Sequence, residues 1–217
     1  RVLKMVMHAY PCDYVNMAQR IMGDMLDYAV NTYDVEIDEF FGMFIVSDIS
    51  KQFQSGNPTY VAGKTGCELF KEVIAESGLK LDDKEDVMYI DKTAEYWTGW
   101  ALAYYQWYTG RTFAKIWNAV KLKDIVDMYP VYHEMDIQQF VDRMNELWES
   151  YYIDTNLKRI RMLSGYSQRE LSELSGVSLR EIQLYEQRQR NINHTKAENV
   201  FRLAKILNCK CEDLIEI

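Results

Sequence analysis

Near the C-terminus, three hydroxyl residues each stand three positions ahead of a glutamate: Ser167 before Glu170, Ser178 before Glu181 and Thr195 before Glu198. This spacing lets the hydroxyl accept from the third helical amide while the glutamate reaches back to the cap, so each pair is the signature of a helix start. Three starts so close together leave room only for short helices. Between the first two lies Glu170-Leu-Ser-Glu-Leu-Ser-Gly-Val-Ser178. It reads as about two turns of helix stopped by Gly176, whose backbone freedom permits a tight turn into the next helix. Apolar residues recur where a small common core needs them. Val177, Ile182 and Tyr185 can pack against Leu157, Ile160, Leu171, Leu174, Val200, Leu203 and Leu207.

Upstream, the composition changes. All five tryptophans (Trp97, Trp100, Trp107, Trp117 and Trp148) and 14 of the 16 tyrosines precede Asp154. From Asp154 onward 11 Lys and Arg face 9 Asp and Glu, a net +2, whereas residues 1–153 hold 14 against 24, a net −10. The two shifts coincide and predict two domains, residues 1–153 and 154–217, a division that 217 residues accommodate. An acidic piece is repelled by phosphate, and a near-neutral one can approach it. No apolar run nears the roughly 20 residues that span a bilayer, and Arg1 to Tyr10 lacks the long apolar stretch of a signal peptide. The expected address is cytoplasmic, without membrane association.

The front domain reads as helical. Val15, Ala18, Ile21, Met22, Met25 and Tyr28 fall at helical spacing between Asp13 and Asn31, and a second helix is predicted from Asp38 to Ser47. After the turn cluster Ser55 to Pro58, Thr65 and Glu68 form a capping box that opens a helix ending near Gly78. The acidic stretch Asp82 to Asp86 is expected to be a solvated loop. From Thr93 to Tyr108 comes an aromatic-rich helix, apolar on more than one face and therefore expected to be buried. Further helices are predicted at Thr112–Val120, Leu122–Met128 and Asp136–Tyr151. The fold class expected is all-α.

Several tail segments fit one pattern: Leu157 to Leu163, Tyr166-Ser-Gln-Arg-Glu-Leu171, Gly176-Val-Ser178, Ile182, Tyr185-Glu186, Leu203-Ala-Lys-Ile-Leu207 and Asp213-Leu214. Together, over about 60 residues, they resemble the Cro/C1 or XRE family of helix-turn-helix proteins. The resemblance implies a five-helix, lambda-repressor-like domain that binds double-stranded DNA, and a partly buried ion pair between Arg161 and Glu186. Two positions depart from the family pattern. Ser172 stands where alanine is usual, and Gln187-Arg188 where Asn-Gly usually closes the recognition helix.

A helix in the major groove reads bases with the side chains that point away from its core. Counting about 100° per residue from inward Ile182 puts Arg180, Leu184 and Gln187 opposite it, with Gln183 on the flank. Arg180 suits a guanine, Gln183 or Gln187 an adenine, and Leu184 a thymine methyl. Ser178 and Leu179 at the start of that helix, and Gln168 at the start of the preceding one, belong to the same DNA-facing set, Ser178 and Gln168 as phosphate contacts. Arg188 and Arg190 follow in the loop and would add charge toward the backbone. The competing reading is an ordinary solvated face on a domain that now binds protein.

Other patterns carry less. Pro58-x-x-x-x-Gly63-Lys64-Thr65 nearly matches a phosphate-binding loop, but it lacks the first glycine and a preceding strand, and Pro58 removes an amide. His133, Glu134 and Asp136 read better as a helix-start cluster than as acid and base, and the aromatics of 97–108 better as core than as a ligand cage. Cys12, Cys67, Cys209 and Cys211 lack metal-binding spacing with the histidines. No cofactor, metal or catalytic activity is expected. Two functions remain: a repressor whose front domain senses a signal or a partner or forms a homodimer, and an antitoxin-like protein whose front domain masks a partner while the tail binds its own operator.

Overall fold

The computed structural model describes residues 8–82, 84–86 and 92–216, and every regular element among them is helical. They form two compact units that divide between Trp148 and Glu149, a few residues ahead of the composition boundary. Each unit has its own apolar core.

In the first unit, α1 (Val15–Asp27) buries Val15, Ala18, Ile21, Met22, Met25 and Leu26, the stripe anticipated from their spacing. The predicted single helix ends in a wider π-helical turn, Tyr28–Thr32. Helices α2 (Ile37–Val46) and α3 (Asp48–Gln54) abut at Ser47, whose hydroxyl accepts from the Ser50 amide at 3.3 Å and starts α3, a helix the periodicity alone did not reveal. The full capping box of Thr65 and Glu68 opens α4 (Gly66–Ser77), and Gly78 closes it at φ 75°. The described residues of the acidic stretch are non-helical; Tyr28 donates to the carbonyls of Lys84 and Glu85 at 3.0 and 3.1 Å. Asp83 of that stretch lies outside the described residues. The aromatic helix is α5 (Ala94–Thr109), with Tyr96, Trp97, Leu102, Tyr105 and Trp107 buried. It is followed by α6 (Phe113–Ala119), α7 (Leu122–Val126), α8 (Tyr129–Tyr132) and α9 (Ile137–Tyr151), whose residues up to Trp148 belong to this unit.

Two near misses of the sequence resolve here. Thr59–Gly63 winds into a π-helical turn, and Lys64 pairs with Glu72 at 2.5 Å, so the segment forms no phosphate cradle. His133 Nδ1 lies 2.7 Å from the Tyr129 carbonyl, and its Nε2 3.6 Å from Glu134.

The packing of α5 on α1 fixes the unit. A Cβ on Gly99 would lie 2.7 Å from the Met22 carbonyl carbon and 2.9 Å from the Gly23 Cα, distances no real side chain tolerates. Backbone must move to admit it. Gly99→Ala is therefore expected to lower stability by about 1–3 kcal/mol, the usual cost of overpacking, in urea unfolding. An unchanged midpoint would mean that the two helices are not held this closely.

The second unit contains α10 (Asn156–Leu163), α11 (Gln168–Ser175), α12 (Leu179–Glu186), α13 (Ala197–Leu207) and α14 (Cys211–Leu214). Leu157, Leu171, Val177, Ile182, Tyr185, Ile192, Val200, Leu203, Ala204, Leu207 and Leu214 fill its core. Leu174, expected there, is 55% exposed. Ser175 takes the inward place instead, its hydroxyl donating to the Leu171 carbonyl at 2.6 Å. The Thr195 cap is also corrected. α13 begins at Ala197 behind Lys196, and the Thr195 hydroxyl instead meets that of Tyr185 at 2.6 Å.

Candidate nucleic-acid interface

Helices α11 and α12 are joined by Gly176-Val177-Ser178. Ser167 and Glu170 form a complete capping box at the start of α11, and the backbone hydrogen bond to Glu170 holds that carboxyl below its usual range. Gly176 ends α11 at φ 71°, a conformation that costs glycine little. Val177 turns into the core, and the Ser178 hydroxyl accepts from the Glu181 amide at 3.3 Å to start α12. Glu181 answers through the Ser178 hydroxyl at 3.1 Å instead of its amide, so this box is only half formed.

The far end of α12 is clamped from behind. Arg161 donates from Nε and Nη2 to the two carboxylate oxygens of Glu186 at 2.6 and 2.9 Å, and from Nη1 to the Tyr166 carbonyl at 2.7 Å. The two side chains are only 10% and 2% exposed. Hydrogen bonding to Glu186 holds the Arg161 guanidinium above its ordinary pKa. A planar fork against a carboxylate fixes orientation as well as distance, so the roll of α12 is set relative to α10.

That fixed roll determines what α12 presents. Ile182, Tyr185 and Glu186 are buried, while Leu179, Arg180 and Gln187 are exposed and Gln183 and Leu184 are half-buried on the outer side. No hydrogen bond or ion pair engages the side chains of Arg180, Gln183 or Gln187 among the described residues. Neighbouring arginines differ: Arg169 pairs with Glu173 at 2.9 Å and Arg202 with Glu198, each along its own helix. Arg180 is thus an uncompensated cation on the exposed face of the second helix of the motif.

Two members of the anticipated set sit otherwise. Gln168 gives one amide N–H to Glu186, 2.7 Å from Oε2, so its Nε2 faces the clamp, with its second N–H and its carbonyl oxygen left over. Arg188 folds back, its guanidinium donating to the Ile153 and Tyr152 carbonyls at 2.8 and 3.3 Å and lying 3.6 Å from Glu216. Its backbone explains this. Standing where the family has glycine, Arg188 takes φ 55°, a left-handed conformation that costs a side-chain-bearing residue, and the turn directs the chain back over the domain. Arg190 stays at the surface, 3.6 Å from Glu181.

Sequence reasoning missed the C-terminal strap. Glu216 accepts from the Asn156 amide at 2.6 Å, and its own amide donates to the Asn193 side chain at 2.9 Å. These contacts join the start of α10 to the loop after α12, and no local pattern announces them.

A family model described as helix-turn-helix matches residues 157–214, running through α10 to α14 and leaving the first unit uncovered. No curated protein and no solved structure matches the chain. None of the described helices is long and apolar enough to cross a membrane. Geometry and family match agree: the C-terminal unit is a DNA-binding helix-turn-helix domain of the Cro/C1, or XRE, type.

Proposed function

We propose that the chain is a sequence-specific transcriptional repressor of the cytoplasm that inserts α12 into the major groove of its operator. One observation carries this reading: Arg180 is exposed and unpaired on a helix whose opposite face is buried and whose roll the Arg161–Glu186 fork fixes. In that pose Arg180 grips a guanine, Gln183 or Gln187 an adenine, and Leu184 packs on a thymine methyl. Ser178 and Leu179 approach a phosphate at the amino end of α12, with Gln168 close by. Arg190 adds charge toward the backbone, at the expense of its contact with Glu181. Selection of bound duplexes from a random pool, followed by a reporter carrying the selected site over its promoter, tests the reading. Repression supports it, and selection of no sequence overturns it.

The second part of the proposal is a homodimer held largely by the first unit. A C-terminal domain of net charge +2 offers few phosphate contacts, so useful affinity needs two copies on half-sites about one helical turn apart. Trp97 and Trp107 are buried in the core of the first unit, but Trp100, Trp117 and Trp148 are partly exposed on it, a residue type enriched at interface anchors. A fragment of residues 154–217 is expected to fold on its own core yet bind the operator at least about tenfold less tightly than the full chain. Sedimentation and titration at fixed salt check both statements. A monomeric full chain, or a fragment of undiminished affinity, contradicts them.

An antitoxin-like role is favoured by one observation, the net −10 of residues 1–153 beside exposed Val46 and Val131. An acidic surface with apolar points suits masking a basic partner. Co-purification with the product of an adjacent gene would support this second reading over the first.

A further inference from the structure

The tight packing of α5 against α1 contrasts with what lies beside its first turns. There Tyr96, Trp97 and Trp100, with Tyr129 and Tyr132 of α8, line an open cleft of about 300 Å³ together with His133, Met135 and Ile137. A cleft of this size in a well-packed unit is at the lower end of the range that holds small organic ligands. The Trp97 and Tyr129 rings meet edge to face at 5.8 Å, and the His133 ring stacks on Tyr129 at 4.3 Å. Its walls are flat, electron-rich rings.

The charged groups at this cleft restrict what can enter. Lys92 lines it, its ammonium 3.8 Å from the Tyr96 ring centre and 3.9 Å from the nearest oxygen of Asp24, too long for a hydrogen bond. His133 lines it as well, its Nδ1 2.7 Å from the Tyr129 carbonyl and its Nε2 3.6 Å from Glu134, whose side chain is 84% exposed. No carboxylate lines the cleft among the described residues. A cationic ligand would therefore meet Lys92, whereas an anionic one would add a charge-assisted contact to the Tyr96 ring and Asp24 that its ammonium already faces. A planar aromatic body bearing one carboxylate suits both halves, with its rings on Trp97 and Trp100 and its anion on Lys92.

We propose that this cleft binds a small aromatic carboxylate. The inference deepens the repressor reading by giving the first unit the signal-sensing role expected from its sequence, and its consequence for DNA rests on that reading. Binding itself is measured without DNA, by calorimetry on the full chain with 1-naphthoate, 1-naphthamide and 1-naphthylmethylamine as probes. Naphthoate is expected to bind about tenfold more tightly than the amide, and the amine not at all, because one charge-assisted contact is worth about that factor. Lys92→Met, at an exposed position, should lose that factor for naphthoate and leave the amide unchanged; Trp100→Ala should weaken both probes. The proposal is overturned if naphthoate does not bind, if the amide or amine matches it, or if Lys92→Met or Trp100→Ala binds naphthoate as the parent does. A separate arm adds naphthoate to the operator titration. Binding to the cleft without any change in DNA affinity would leave this site standing and remove its role as a sensor.

Discussion

Replacing Arg161 by methionine is expected to cost the C-terminal unit on the order of 3–5 kcal/mol, a large share of what holds a domain of this size. Glu186 is 2% exposed at its side chain and takes both bonds of the fork from Arg161, so the substitution strands a buried carboxylate. Gln168 would remain at 2.7 Å, one neutral donor in place of a bidentate cation. The account also predicts a rescue. Pairing Arg161→Met with Glu186→Leu removes both charges, and the double variant should recover most of the loss, because an apolar pair of similar volume pays no desolvation cost. Urea unfolding of the full chain, followed through probes in each unit, separates the two transitions. A single variant within about 1 kcal/mol of the parent would show that the fork is not buried as described.

The loss would extend to DNA binding. α12 is joined to α11 through a three-residue turn, and the fork secures its other end. Freeing that end lets the helix roll, which would move Arg180 away from the base edge proposed for it without altering any residue of the proposed DNA-facing set.

Much of this was legible in the sequence, and the reason is locality. The helix start at Ser167, the stop at Gly176, the start at Ser178 and the inward spacing of Leu171, Val177, Ile182 and Tyr185 all concern neighbours within one or two turns, so pattern alone identifies the motif. The all-α class follows from the same short-range signals, and the helix-turn-helix family from the resemblance that the tail segments carry together. The buried α5 was legible because an aromatic helix with apolar residues on more than one face has no other stable place.

What escaped depends on partners distant in the chain or on competition between equal local choices. Leu174 and Ser175 both lie near the inner stripe of α11, and the helix is rolled so that Ser175, four residues after buried Leu171, faces in, its hydroxyl bonded to the Leu171 carbonyl. Thr195 has the spacing of a cap but sits within reach of the Tyr185 hydroxyl, which claims it. Arg188 turns inward toward acceptors at residues 152, 153 and 216, none of which a reading of its own neighbourhood would supply. Helix α3 is short, and its start at Ser47 is hidden by following α2 without a break.

The claim that α12 reads sequence is tested most directly at Arg180. A bidentate contact from arginine to guanine is worth about 1–3 kcal/mol of discrimination, or about 5- to 150-fold for each half-site. A phosphate contact is worth similar affinity on every sequence and steepens the salt dependence instead. The measurement is a titration of the full chain against its selected operator and a scrambled duplex of equal length, at several salt concentrations, for the parent, Arg180→Ala and Arg190→Ala. The account predicts that Arg180→Ala loses affinity for the operator while keeping that for the scrambled duplex, whereas Arg190→Ala weakens both alike and flattens the salt slope. Equal losses on the two duplexes for Arg180→Ala would contradict it.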